Sequence, residues 1–138
     1  RQVIDPMRRR VEAAFEHFVD VSKKSDAEVA RLARERELDI AVDLKGLTEQ
    51  ARTRIFAYRA APLQVSYLGY PGTTGAGCID YLIADRIVVP PAQRMHYCER
   101  IAWLPHSYQV NDSRRPIAPR PVALSGVATL RLRSMKRQ

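Results

Sequence analysis

Met7, Val11, Ala14, Phe15 and Phe18 return at intervals of three and four residues, the period of a helix with one apolar stripe. Asp5-Pro6 ahead of them supplies a capping carboxylate and a proline for the first turn. Ser25-Asp26-Ala27-Glu28 has the form of a capping box. It opens a second helix expected to turn Val29, Leu32 and Ala33 inward and to leave Arg31, Arg34 and Glu35 in water. At Ile40-Ala41-Val42 the pattern changes to a short apolar run between two aspartates, which predicts a buried strand. A third helix is expected from Thr48 to Arg59, with Ala51, Ile55 and Tyr58 on one side and Pro62 ending it. Leu63 to Leu68 alternates and reads as the next strand, followed by strands at 81–84 and 101–104. One short helical turn fits between Pro90 and Tyr97. Phe56, Tyr67 and Trp103 are expected in the core. Helices alternating with strands are the cadence of a parallel α/β sheet.

Composition changes this picture little, but the location of charge matters. The chain has 138 residues, 46% apolar, enough for one small domain with its own core. No apolar run approaches the ~18 to 20 residues of a membrane span. The formal charge of +8 suggests nucleic acid. Yet seven Lys and Arg follow Asp112, the last acidic residue, leaving 16 basic against 15 acidic residues before it. The body is nearly neutral, which argues against a nucleic-acid partner. Cys78 and Cys98 form no CxxC pair and, with His96 and His106, match no structural zinc spacing, so no metal is expected. Two reduced thiols and no signal-peptide pattern fit a cytoplasmic protein. Without an initiator Met, the chain is expected to be a piece of something longer. Its last stretch, 122–138, has no packable stripe and reads as a mobile or artefactual basic tail.

Ligands of open α/β sheets bind beyond the carboxyl ends of strands, which directs attention to three turns. They are Asp43 to Thr48, Leu68 to Gly77, and Pro105 to Gln109. The second is the richest, with four glycines and Pro71 in ten residues. Its backbone can approach a ligand closely, cradle an anion, pack against a sugar ring, or serve only as a turn. It is neither a Walker loop nor a GxGxxG fingerprint. Asp80 and Asp85 flank a strand of ~3.3 Å per residue and do not converge as a glycosidase pair. Ser107 and His106 lack a nucleophile elbow. His17 reads as a surface or boundary residue and His96 as a loop residue. Asp43 caps the following helix as readily as it touches a ligand, and Arg52 can stabilise its own helix or pair with Asp43.

Several separated blocks then resemble one family. Asp39-Ile40-Ala41-Val42-Asp43-Leu44-Lys45-Gly46-Leu47-Thr48, Ala51-Arg52, Arg59 to Gln64 and Leu68-Gly69-Tyr70-Pro71-Gly72-Thr73 agree in order and spacing with the O-linked N-acetylglucosamine transferase family, including SPINDLY-like enzymes. Ile79-Asp80-Tyr81, Ala84-Asp85 and Leu104-Pro105-His106-Ser107-Tyr108 extend the match. The resemblance implies a GT-B glycosyltransferase, preceded in the family by tetratricopeptide repeats, that moves a sugar from a UDP- or GDP-sugar to protein Ser or Thr. UDP-N-acetylglucosamine is the expected donor, with no metal or other cofactor. Residues 1–121 would be a partial N-terminal lobe with a Rossmann-like parallel sheet, and 122–138 a non-matching tail. By the same resemblance, Leu68, Gly69, Pro71 and Gly72 line the donor-sugar pocket and Arg52 lies near the cleft. Lys45 and His106 are candidates by position.

Departures from the family qualify these expectations. The family's His-Pro segment and its nucleotide-gripping C-terminal lobe are not in this sequence, and Leu47 stands where the family has Tyr. No catalytic residue is therefore expected within the chain, and the chain alone should be inactive. A non-enzymatic remnant or a partner-binding α/β module is the alternative.

Overall fold

Four short apolar runs pair side by side as β1 (Ile40–Asp43), β2 (Leu63–Tyr67), β3 (Tyr81–Ala84) and β4 (Arg100–Trp103) in a computed structural model that describes residues 5–113. The tail expected at 122–138 lies outside the described residues. The sheet order is β1-β2-β3-β4 and every neighbouring pair is parallel. This is the Rossmann-like sheet the alternation predicts. Parallel strands require crossovers, and these carry α3 (Arg54–Ala57) between β1 and β2 and a 3-10 helix (Pro91–His96) between β3 and β4. The β2–β3 crossover holds no helix. It is the glycine-rich turn, so this stretch depends on side chains from elsewhere for its shape.

One face of the sheet carries the core. Leu82, Ala84 and Val89 are enclosed, with Val88, Tyr97 and Ile101 packed against them. Burying a leucine as completely as Leu82 contributes about 1.5–3 kcal/mol. Beside this cluster sits a buried amide whose bonds are all made. Gln64 Nε2 donates to the carbonyls of Phe56 (2.9 Å) and Cys78 (2.6 Å), and its Oε1 accepts from the Ala60 N–H (2.8 Å). Asp80 closes the lattice, accepting from the Gln64 N–H at 2.8 Å and from Arg59 Nη2 at 2.8 Å. Burial would raise the Asp80 carboxyl, but the Gln64 N–H and the Arg59 guanidinium outweigh it and hold it below its ordinary value.

Helix α2 (Asp26–Glu35) follows its sequence signals closely. Ser25 Oγ accepts from the Glu28 N–H, and the Glu28 carboxylate accepts from the Ser25 N–H, completing the capping box. At the other end Leu38 N–H bonds Ala33 O and Glu37 N–H bonds Arg34 O, with Glu37 at φ +54°. That is a Schellman ending with a glutamate where glycine is usual. Ala30 is the buried residue of the helix, while Val29, Leu32 and Ala33 are half-buried.

Three expectations are corrected. Helix α1 covers only Pro6–Glu12, and Met7, Val11, Phe15 and Phe18 are all exposed. The chain folds back instead, with Arg8 bonded to Glu12 and Asp20 and stacked over the Phe18 ring at 5.8 Å. The third helix is a single turn, because Gln50 takes φ +57° and the early hydrogen bonds are of i→i−3 type. Of the three aromatics expected in the core, Phe56 is buried; Tyr67 and Trp103 are half-buried with their polar ends bonded to Tyr108 O and Val89 O.

The opposite sheet face is open at its β1 edge. Register places Ile40 and Val42 there, and they are 54% and 45% exposed, so β1 is a strand as expected but not a buried one, because it is the edge strand of the sheet among the described residues. With Leu38, Leu44 and Leu47 also exposed, the isolated chain presents an apolar surface of the kind that drives association. Its thermal transition should depend on concentration, and Ile40→Thr with Val42→Thr should lessen that dependence. A sharp, concentration-independent monomer transition in the parent chain contradicts this account. A second prediction concerns pH. Asp80 has a depressed folded-state pKa, so its stabilisation is present above the unfolded value, roughly 3.9, and is lost as pH falls through the folded value. Urea midpoints should hold between pH 7 and 5 and drop below about pH 4. The drop should be smaller in Asp80→Asn, and an equal drop in both proteins refutes the assignment.

Candidate functional site

The carboxyl ends of β1 and β2 each open into a turn, and the two turns touch. After β1, Asp43 Oδ1 accepts from the N–H groups of Lys45 (2.9 Å) and Gly46 (3.0 Å). This Asx turn ties the chain back on itself. Asp43 therefore caps its own turn rather than a helix. Gly46 takes φ +57°, and a Cβ there would lie 2.8 Å from Tyr70 Cβ. After β2, Gly69 packs on the same turn so closely that a Cβ would meet Leu44 O at 2.5 Å and Lys45 Cα at 2.7 Å. Glycine is needed at Gly69 because backbone meets backbone, and at Gly46 because of its positive φ and the Tyr70 Cβ beside it.

Leu68 is the strained point. It takes φ +70°, a left-handed conformation that costs a non-glycine residue about 1–2 kcal/mol. Tyr108 secures it, donating its hydroxyl to Leu68 O at 3.1 Å. Tyr108 is itself fixed from both sides. Its N–H donates to Asp85 Oδ2 (2.8 Å) and its carbonyl accepts from Tyr67 Oη (2.8 Å), with the two rings edge to face at 6.3 Å. Asp85 also accepts from the N–H groups of Ile87 and Val88. Hydrogen bonds from Val88 and Tyr108 hold its carboxyl below the ordinary value against the effect of burial. Tyr97 Oη reaches Pro71 O at 3.3 Å, and Gly72 lies against the Tyr70 ring, where a Cβ would come within 2.8 Å. Leu68, Gly69, Pro71 and Gly72 thus share one braced turn.

The other candidates go elsewhere. The Lys45 backbone abuts Gly69, but its Nζ donates to Glu49 O at 2.8 Å. Arg52 bonds Asp26 (2.7 Å), Val21 O (3.0 Å) and Lys24 O (2.7 Å), tying the segment before α2 to α3; Asp26, and not Asp43, is its carboxylate. His106 is exposed in the turn after β4. Asp80 and Asp85 are both consumed by structural bonds at opposite ends of β3. Among the described residues no cluster of metal-ligating side chains occurs.

Sequence reasoning missed Tyr97, Glu99 and Tyr108, which reach the turn from the segments before and after β4. Only Tyr108, at the end of the block carrying His106, carried any signal. Beneath the turn is a cavity of about 160 Å³ lined by Asp43, Leu47, Thr53, Thr74 and Cys78. Two buried polar atoms, Asp43 Oδ2 and Ser66 Oγ, have no protein hydrogen-bond partner among the described residues, and their residues are register partners on β1 and β2.

Residues 5–120 match glycosyl transferase family 41. A probable UDP-N-acetylglucosamine–peptide N-acetylglucosaminyltransferase SEC of Arabidopsis thaliana is 44% identical over 108 residues, covering 78% of this chain and 11% of that protein. The UDP-N-acetylglucosamine–peptide N-acetylglucosaminyltransferase of Caenorhabditis elegans is 38% identical over 98 residues, 70% of this chain and 8% of that protein. A mutant O-GlcNAc transferase of Thermobaculum terrenum superimposes with a TM-score of 0.72 at 36% identity, covering 75% of this chain and 20% of that structure. The chain spans only about a tenth of the curated relatives' length. The parallel sheet is that of a GT-B glycosyltransferase fragment. With the match running across nearly all described residues and through both touching turns, the chain belongs to glycosyl transferase family 41.

Proposed function

We propose that this chain supplies the donor-sugar wall of a GT-B protein O-glycosyltransferase, which moves N-acetylglucosamine from UDP-N-acetylglucosamine to a protein Ser or Thr hydroxyl. The observation that carries this reading is the braced turn at the end of β2. It leaves the Gly69 backbone exposed and is held from three other parts of the chain, by Tyr108 at Leu68, by the Leu44–Lys45 main chain at Gly69 and by Tyr97 at Pro71. A sugar packs well against such a surface, since hydroxyls can meet main-chain groups and ring carbons can meet glycine. Holding the donor in one pose contributes to rate through orientation, without any side chain of the chain entering the reaction. We assign the wall to Leu68, Gly69, Pro71 and Gly72. Arg52, Lys45 and His106 stay outside it, since the hydrogen bonds of the first two run elsewhere and the third has none to the turn.

Charge develops on the departing diphosphate as the acceptor hydroxyl attacks the anomeric carbon. Its stabilisation needs aimed donors or cations. In this reading they come from a second, C-terminal lobe, and no metal takes part. The chain by itself then neither binds donor measurably nor turns over. A cytoplasmic location accompanies the reading, in keeping with free Cys78 and Cys98.

The experiment is a graft. Residues 5–113 should replace the matching segment of the Thermobaculum terrenum enzyme, and the chimaera should retain transfer to a peptide acceptor. Gly69→Ala in that chimaera should raise the donor KM about 10- to 100-fold, since a Cβ 2.5 Å from Leu44 O must push the turn away. A folded chimaera that labels no acceptor would sink the transferase reading in favour of a partner-binding module.

A further inference from the structure

Glu99 stands just before β4, two residues after Tyr97, and is 1% exposed. Its carboxylate looks across to the β2–β3 turn. One oxygen accepts from Thr73 Oγ1 at 2.8 Å; the other accepts from the Thr74 N–H at 2.8 Å and from Thr74 Oγ1 at 2.5 Å. All three partners are neutral groups of the turn. The bonds then spread. Thr73 Oγ1 accepts from the N–H groups of Gly75 (3.1 Å) and Cys98 (3.3 Å), and Thr74 Oγ1 accepts from the Ala76 N–H (3.4 Å).

Among the described residues no cation pairs with Glu99, and a carboxylate buried in this way is a costly means of holding a fold together, where an apolar side chain packs more cheaply. What the carboxylate adds is direction. It accepts several bonds in fixed positions, and here they fall on two consecutive residues of a segment with four glycines and no helix. Such a segment loses much conformational entropy on ordering and does not order itself. Thr73 and Thr74 directly follow Gly72, so fixing them fixes the exit of the wall as Tyr108 fixes its entry at Leu68.

We propose that Glu99 is a positioning residue for donor binding: acting through Thr73 and Thr74, it sets the backbone of Leu68–Gly72 against which the sugar packs. The proposal rests on the transferase reading for its functional half. Its structural half stands by itself. Glu99 touches neither donor nor acceptor, and its effect is on where the wall lies.

Two measurements test it. In the 138-residue chain, Glu99→Gln should speed amide exchange of Thr74 and Gly75 by about 10- to 100-fold and leave Leu82 and Ala84 in β3 unchanged. Unchanged turn amides, or strand amides quickened as much as the turn, overturn the proposal. In the Thermobaculum chimaera, Glu99→Gln and Thr74→Val should each raise the donor KM about 10-fold with kcat within about threefold. The double variant should be no worse than either single one, because both cut the same link. Additive effects, or a fall in kcat at unchanged KM, overturn it as well. Thr74→Val keeps the test open if Glu99→Gln does not fold, since it leaves the carboxylate in place. A wild-type chimaera without transfer would refute the transferase reading, and amide exchange would still decide whether Glu99 holds the turn.

Discussion

Two turns meet where no side chain can be tolerated: Gly69 rests on the main chain of Leu44 and Lys45, closer than any Cβ allows. That contact joins the ends of β1 and β2 and determines the surface they present. Beside it Leu68 holds left-handed backbone and Tyr70 lies against Gly46. Strained geometry of this kind persists only when its surroundings over-determine it. Here they do, through Tyr108 at Leu68, Tyr97 at Pro71 and Glu99 at Thr73 and Thr74.

The braces come from elements anchored by other polar networks. Asp85 fixes Tyr108, and Gln64 with Asp80 and Arg59 locks the starts of β2 and β3. Buried polar groups with nearly every bond made give a unique arrangement rather than large net stability. The apolar core on one sheet face is small, and the other face is open at Ile40 and Val42. A stiff turn is thus mounted on a modest scaffold, consistent with a segment that spans about a tenth of its relatives.

Strands and caps were legible because their causes are local. The apolar run at Ile40, the alternation from Leu63 and the Ser25–Glu28 box each act within a few residues and mark two observed strands and an observed cap, although Ile40 and Val42 are exposed and Gln64, Val65 and Ser66 are buried in succession. Helix lengths were less so. Periodicity suggested helix to Phe18 and from Thr48, but the first helix ends at Glu12, beyond which the chain brings Asp20 and Phe18 back to Arg8, and the positive φ of Gln50 interrupts the other. The family blocks pointed to the turn at Leu68–Gly72. What holds that turn was illegible, since Glu99 lies 25 residues from Thr74 and Tyr108 40 from Leu68. Nor does a leucine announce φ +70°. Arg52 shows the reverse limit, for a motif residue with cleft associations spends its hydrogen bonds on Asp26 and two carbonyls.

If the turn is a preformed donor wall, a crystal structure of the Thermobaculum chimaera carrying this segment, solved with and without UDP-N-acetylglucosamine, tests that most directly. The account predicts the sugar against the backbone of Leu68–Gly72, with Leu68 at positive φ and the turn superimposable in both states. A sugar bound away from these residues, or a turn that takes this shape only with donor present, would contradict it.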